Sequence, residues 1–162
     1  MLTQAELQSQ LHYNPESGIF TRLITKNKLK IGSVAGTLHH SGYIHIKINN
    51  KHYSAHRLAW LYVYGYFPKK QIDHINGNKS DNKICNLREA TVFENNYNSK
   101  MRADNTSGAK GVFWNKQQQK WRVQIRVDGK SCYFGSFHSF FEAKQLAESL
   151  RKELHKEFSN NG

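Results

Sequence analysis

The sequence predicts an α+β chain of two consecutive modules. A mixed hairpin-and-helix module spans residues 1–100, a linker spans 101–109, and a small three-stranded sheet with one helix spans 110–162. Three observations predict this. Apolar and polar residues alternate at Ile44-His45-Ile46-Lys47-Ile48 and again from Trp121 to Val127, the period of half-buried strands. A turn dipeptide ends each run, Asn49-Asn50 or Asp128-Gly129, and Asp-Gly suits a two-residue hairpin. Thr3/Glu6, Thr91/Glu94 and Ser139/Glu142 have the spacing of capping boxes, which start helices.

Taken in order, "TQAELQSQLHY" reads as a short helix and "NPESG" as a turn. "GYIHIKI" is a strand, "KHYSA" returns beside it, and Ser54 opens the helix "AHRLAWLYVYG", which Gly65 and Pro68 stop. "IDHI" is a short apolar-flanked strand, "NGNKSDN" is a turn-rich loop, and Thr91 starts a helix running to about Lys100. "GVFWN" and "KWRVQIRVDGKSCYFGSF" supply three strands. Trp121, Val123, Ile125 and Val127 share the core face, and Arg122, Gln124 and Arg126 share the other. Phe141, Leu146, Leu150, Leu154 and Phe158 recur at helical spacing over the last segment.

The composition narrows the classes of function. The formal net charge is +12 in 162 residues, which favours a polyanionic partner, nucleic acid before an anionic membrane. Residues 1–72 hold nine Lys/Arg against two Asp/Glu, and residues 100–130 hold eight against two. Between them, residues 73–99 hold three against four, and residues 131–162 balance at four against four. Two basic regions thus flank a near-neutral segment. No apolar run approaches the ~18 residues of a membrane span, and "MLTQAELQSQ" lacks the basic and apolar parts of a signal peptide. Cys85 and Cys132 form no C-x-x-C pair, so neither a structural zinc nor a disulfide scaffold is expected, and the compartment should be reducing.

The near-neutral segment is "IDHINGNKSDNKICNLREATVFENN". Adjacent strand residues point to opposite faces, so Asp73 and His74 can serve separate tasks. The Asp73 carboxylate suits a hard cation, and Mg²⁺ takes one or two protein oxygens beside waters and phosphate. The amide oxygen of Asn95, on the helix begun at Thr91, is a second candidate ligand. His74 has an ordinary pKa of about 6.5 and can take a proton from water near neutrality. Asn86 could fix the His74 tautomer or hold the loop that orients it. His56 reads as a packing or loop-anchoring residue, and His39 and His40 as solvated. Arg57 could touch phosphate or only cover its helix.

"DHINGNKSDNKICNLR" followed by "ATVFENNYN" resembles the HNH endonuclease motif, in a form with Asn at its last position as in phage-encoded homing endonucleases. "LHYNPESGIF", "GYIHIKI" and "AHRLAWLYVYG" extend the resemblance over roughly residues 1–100. It implies a ββα-metal fold, with Asp73 and Asn95 as metal ligands, His74 as general base and Asn86 as the middle structural Asn. Asn82 is the other candidate for that middle role, and a shift of helix register would bring Asn96 or Asn98 to the ligand position. Asn rather than His at the end of the motif favours Mg²⁺, or Mn²⁺, over zinc. The implied activity is metal-dependent hydrolysis of phosphodiesters in double-stranded DNA, by a monomer or weak homodimer. The implied setting is the cytoplasm of a bacterium or phage-infected host, near the nucleoid. The alternative is a sequence-specific regulator with an inactive nuclease centre.

The C-terminal segment resembles AP2-type DNA-binding domains through Gly111-Val112, Trp121, Ile125-Arg126, Phe134-Gly135-Ser136-Phe137 and Glu142-Ala143. That resemblance implies a sheet laid in the major groove, with Arg126 and Tyr133 at contact positions. Arg122, Gln124 and Arg126 are of the residue types that read base edges. Lys110, Lys116, Lys120 and Lys130 are candidates for phosphates.

Overall fold

The structure, a computed structural model, describes residues 1–25 and 29–162. Lys26 and Lys28, two of the basic residues counted above, lie outside the described residues. The chain divides into two compact units, Met1–Ala90 and Thr91–Gly162.

The first unit begins with α1 (Gln4–Gln10), whose Thr3/Glu6 capping box forms in both directions. The helix is shorter than the sequence suggests. Leu11 and Tyr13 are buried and alternate with exposed His12 and Asn14, so the chain turns extended. It forms a hairpin of β1 (Leu11–Asn14) with β2 (Ile19–Arg22). Next come β3 (Thr37–Leu38), β4 (Ile44–Ile48) and β5 (Lys51–Ser54), an antiparallel sheet in the order β3-β4-β5. Asn49 and Asn50 turn between β4 and β5 with φ of 48° and 63°, which these residues tolerate in hairpins. Ser54 caps α2 (Ala55–Tyr64) by position, without a side-chain bond, and Gly65 ends it in the left-handed region. Leu7, Leu11, Tyr13, Phe20, Ile46 and Leu58 are all at most 2% exposed and belong to one core. Each such side chain contributes roughly 1.5–3 kcal/mol by leaving water. Against this core lie β6 (Gln71–His74) and β7 (Leu87–Ala90), an antiparallel pair that contributes Ile72 and Leu87.

The second unit opens with α3 (Val92–Tyr97), capped by Thr91 and Glu94 in both directions. It continues through β8 (Val112–Asn115), β9 (Lys120–Val127) and β10 (Lys130–Phe137), in the sheet order β10-β9-β8. Asp128 and Gly129 turn between β9 and β10 with φ of 48° and 80°. Helix α4 (Phe140–His155) packs on the sheet through Ala143 and Ala147, with Val112, Val123 and Ile125 beneath. Ser139 caps it through the Glu142 N–H at 3.4 Å.

Two expectations meet a different arrangement here. Phe141 is 65% exposed, because the buried row of α4 runs through Ala143, Ala147, Arg151 and His155. The division of the chain falls ahead of α3 rather than at residues 101–109. Phe93 packs at Gly129, where an added Cβ would meet its ring at 2.9 Å, and Tyr97 stacks on His155 at 3.7 Å. Segment 101–109 is itself folded. Asn105 and Ser107 hold the Ala109 carbonyl at 3.2 and 2.9 Å, and Ala109 enters the core.

Candidate active site

In the first unit, β6 and β7 fix the register Asp73↔Arg88 and His74↔Leu87. Arg88 lies directly opposite Asp73 and on its face of the sheet. Its Nε and Nη2 both reach Asp73 Oδ2 at 2.8 Å. Asp73 and His74 are each 4% exposed.

The loop joining the two strands is tied by amides. Gly77 turns it with φ of 68°. Asn86 Oδ1 accepts from the Asn76 N–H at 3.0 Å, and Asn86 Nδ2 donates to Asn76 Oδ1 at 3.1 Å and to the Asp81 carbonyl at 2.8 Å. Asn86 is therefore the staple of the loop, the second of the two roles the sequence left open for it. The residue on His74 is Asn82, 3% exposed, whose Oδ1 lies 3.3 Å from His74 Nε2. Asn82 Nδ2 donates to the Ser80 carbonyl at 3.2 Å, which assigns the oxygen to the histidine side. With the oxygen on that side, Nε2 is the nitrogen that would donate in this contact.

Rings enclose His74. His56 meets it edge-on at 5.1 Å and Tyr43 lies at 5.8 Å. Burial pushes the His74 pKa down, and the Asn82 bond and Asp73 oppose that shift. The imidazole is thus neutral at pH 7, as a base must be. Burial, with His74 second, holds His56 down to about 3.

Asn95 stands in α3 of the second unit, half-buried, with its N–H bonded to the Thr91 carbonyl at 3.0 Å. Asn96 is exposed. Asn98 is buried, and Asn160 Nδ2 donates to its carbonyl at 2.8 Å. Asn98 is built into the packing of its unit. Among the described residues no group of three or more His, Cys, Asp or Glu is arranged to hold a metal ion. A cation at Asp73 would rest on hard oxygen donors and few carboxylates, a donor set that fits Mg²⁺.

The remaining expected residues divide by environment. Arg57 donates to the Pro68 carbonyl at 3.3 Å and lies over Phe67, so it braces its own unit. In the second unit, Arg122 sits beside the Phe113 ring at 5.9 Å and the Tyr133 ring at 4.6 Å. Gln124 is half-buried and Arg126 exposed on the same strand. Tyr133 is 53% exposed and Phe113 40%. Lys116 and Lys130 are exposed and Lys120 half-buried. Lys110 is not a free surface lysine, because its Nζ donates to the Ser99 and Asn160 carbonyls. The site also takes in Arg88, Asn76 and Tyr13, for which the sequence assigns no role, the last through a hydroxyl that donates to the Asn82 carbonyl at 2.7 Å. The signal for Arg88 was available, since pairing "IDH" with "LRE" across a hairpin sets it against Asp73.

Residues 53–97 match the family model described as HNH endonuclease. The chain therefore carries a domain of the HNH endonuclease family over those residues, and it is also similar to a phage protein. That relative is Protein 3.8 of Escherichia phage T7, 37% identical over 105 residues, which cover 64% of this chain and 86% of that protein. A solved structure described as DNA binding and cleavage by the HNH homing endonuclease I-HmuI is also similar. It has 22% identity and a TM-score of 0.45, covering 77% of this chain and 71% of that one. No helix among the described residues is long and apolar enough to cross a membrane.

Proposed function

We propose that this chain is a metal-dependent endonuclease that hydrolyses phosphodiester bonds in double-stranded DNA. The observation that carries the reading is the buried His74, held through Nε2 by Asn82 Oδ1 at 3.3 Å, beside Asp73 in the HNH-matched segment. Asp73 and Asn95 would hold a divalent cation, Mg²⁺ by donor hardness. When bound, it supplies charge stabilisation at the phosphorane-like transition state and at the leaving 3′ oxygen.

His74 Nδ1 takes a proton from a water as that water's oxygen attacks phosphorus. The bond from phosphorus to the 3′ oxygen breaks, leaving a 5′-phosphate and, once the oxygen is protonated, a 3′-hydroxyl. Asn82 keeps the imidazole in one tautomer, Asn86 keeps the loop closed, and Arg88 balances the Asp73 charge. The sheet face carrying Arg122, Gln124, Arg126 and Tyr133 engages the duplex in an AP2-like manner, with Lys116, Lys120 and Lys130 on phosphates. One motif cuts one strand, so a monomer nicks and a double-strand break needs a second copy or a second event.

Supercoiled plasmid incubated with Mg²⁺ should be nicked, and EDTA or His74→Ala should abolish nicking. Absence of metal-dependent nicking on DNA that the protein binds would sink the enzymatic reading. It would leave a DNA-binding regulator with an inactive centre, the reading favoured by the ion pair that already occupies Asp73 Oδ2.

A further inference from the structure

The second unit contains a cavity of about 440 Å³ whose walls include Arg102, Lys110, Gln124, Arg126, Arg151 and His155, and no carboxylate. Its size is that of a small-ligand pocket. Arg102 is already paired, with Asp104 at 2.8 Å, so the case rests on the other cations.

Arg151 is 8% exposed and His155 5%. Arg151 bonds only neutral acceptors, the Asn161 side-chain oxygen at 3.2 Å and the Asn160 carbonyl at 2.5 Å, and has no carboxylate partner among the described residues. Lys110 likewise bonds two carbonyls. His155 Nε2 donates to the Arg126 carbonyl at 2.9 Å, while its buried Nδ1 has no hydrogen-bond partner. Burial, and then Arg151, draw the Lys110 pKa down to about 8. Buried cations normally sit with counter-charges, because an uncompensated one is costly. Here Lys110 and Arg151 border one space and repel one another across it, and Arg126 lies at its edge. An anion in that space would remove the repulsion and accept the unused N–H groups of Arg151 and Lys110.

We propose that this cavity is a phosphate-binding site and that its ligand is a backbone phosphodiester of the bound nucleic acid. The choice of ligand source rests on the nuclease reading; the oxyanion chemistry does not.

The test uses the full-length chain, Lys110→Gln and Arg126→Gln. Arg126 is exposed and its side chain makes no hydrogen bond or ion pair among the described residues, so its variant keeps the fold if the loss of Lys110 does not. Inorganic phosphate, against chloride at matched ionic strength, should raise the melting temperature saturably by about 3 °C, an effect lost in both variants. Binding of labelled duplex in EDTA should show the slope of log affinity against log salt reduced by about 1 in each variant. A wild-type chain indifferent to phosphate, or variants that keep the full response, would overturn the site even if DNA is bound and nicked. A lost phosphate response with an unchanged salt slope would overturn the backbone assignment and identify free phosphate as the ligand. Phosphate stabilisation in a chain that binds no duplex supports the site and sinks the nuclease reading alone.

Discussion

In the proposed reaction His74 must keep the lone pair of one ring nitrogen and be held still, and the Asn82 amide contributes to both. Removing it with Asn82→Ala frees the ring without touching the water or Asp73. Plasmid nicking should then fall roughly 10- to 100-fold in kcat with KM changed less than about twofold. A raised KM with kcat unchanged would assign Asn82 to DNA binding instead. Arg88 makes a second prediction at this scale. Asp73 is 4% exposed and Arg88 14%, so Arg88→Met removes a cation from beside a buried carboxylate, at a cost of about 3 kcal/mol. A divalent cation binding at Asp73 should recover part of that. Mg²⁺ should therefore raise the melting temperature of Arg88→Met more than that of the wild type, and equal rises would argue against a cation at Asp73. His56 supplies a pH dependence. Its pKa is held at about 3 in the folded chain, against about 6.5 unfolded. Between those values the unfolded chain takes up a proton that the folded chain refuses. The His56 contribution is therefore complete above about pH 6.5 and is lost as pH falls toward 3. Melting temperature measured in EDTA should fall from about pH 7 to 5, and His56→Gln should flatten that fall.

At the scale of elements, the β1–β2 hairpin buttresses the His74 loop. Tyr13, 2% exposed, gives its hydroxyl proton to the Asn82 carbonyl at 2.7 Å. The Pro15 carbonyl accepts from the Ile84 N–H at 3.2 Å. Gly18 lies so close that an added Cβ would stand 2.5 Å from the Asn82 carbonyl carbon and the Lys83 nitrogen, at a φ of +72°. Tyr13→Phe leaves a buried carbonyl unpaired, so thermal melts should show a loss of about 1–2 kcal/mol, and nicking should slow with it. A Tyr13→Phe chain that loses stability but nicks at the full rate would confine the hairpin to a structural role. This buttress was not legible in the sequence, because Tyr13 and Asn82 are 69 positions apart and no local pattern links them. Local signals fared differently. The capping boxes at Thr3 and Thr91 form in full, and the Asn-Asn and Asp-Gly turns take the left-handed φ that their residues favour. The identity of the loop's amides lay between. Asn82 and Asn86 are both Asn in a polar run, and only the closed loop decides which one faces the imidazole.

At the scale of the whole molecule, the boundary between the units falls between the candidate site residues. The sequence marked α3 by its cap and joined it to the motif it follows, yet its neighbours Gly129 and His155 lie in the C-terminal half, where spacing gives no warning of them. Asp73 and His74 therefore belong to one separately cored unit, while the candidate ligand Asn95 belongs to another. The first unit has three small sheets and the second has one, each unit with its own buried cluster, which is what independent folding requires. Residues 1–90 and 91–162, produced separately, should each unfold cooperatively by circular dichroism. Residues 1–90 retain His74, Asn82, Asn86, Arg88 and the Tyr13 buttress, so they keep the base and its support but lack Asn95. That fragment should not nick plasmid in Mg²⁺. Asn95→Ala in the full chain should weaken the dependence of nicking on Mg²⁺, raising the concentration for half-maximal rate by about tenfold or more. Nicking by residues 1–90 at the rate of the full chain would remove Asn95 from the metal site and leave Asp73 as its ligand in the first unit.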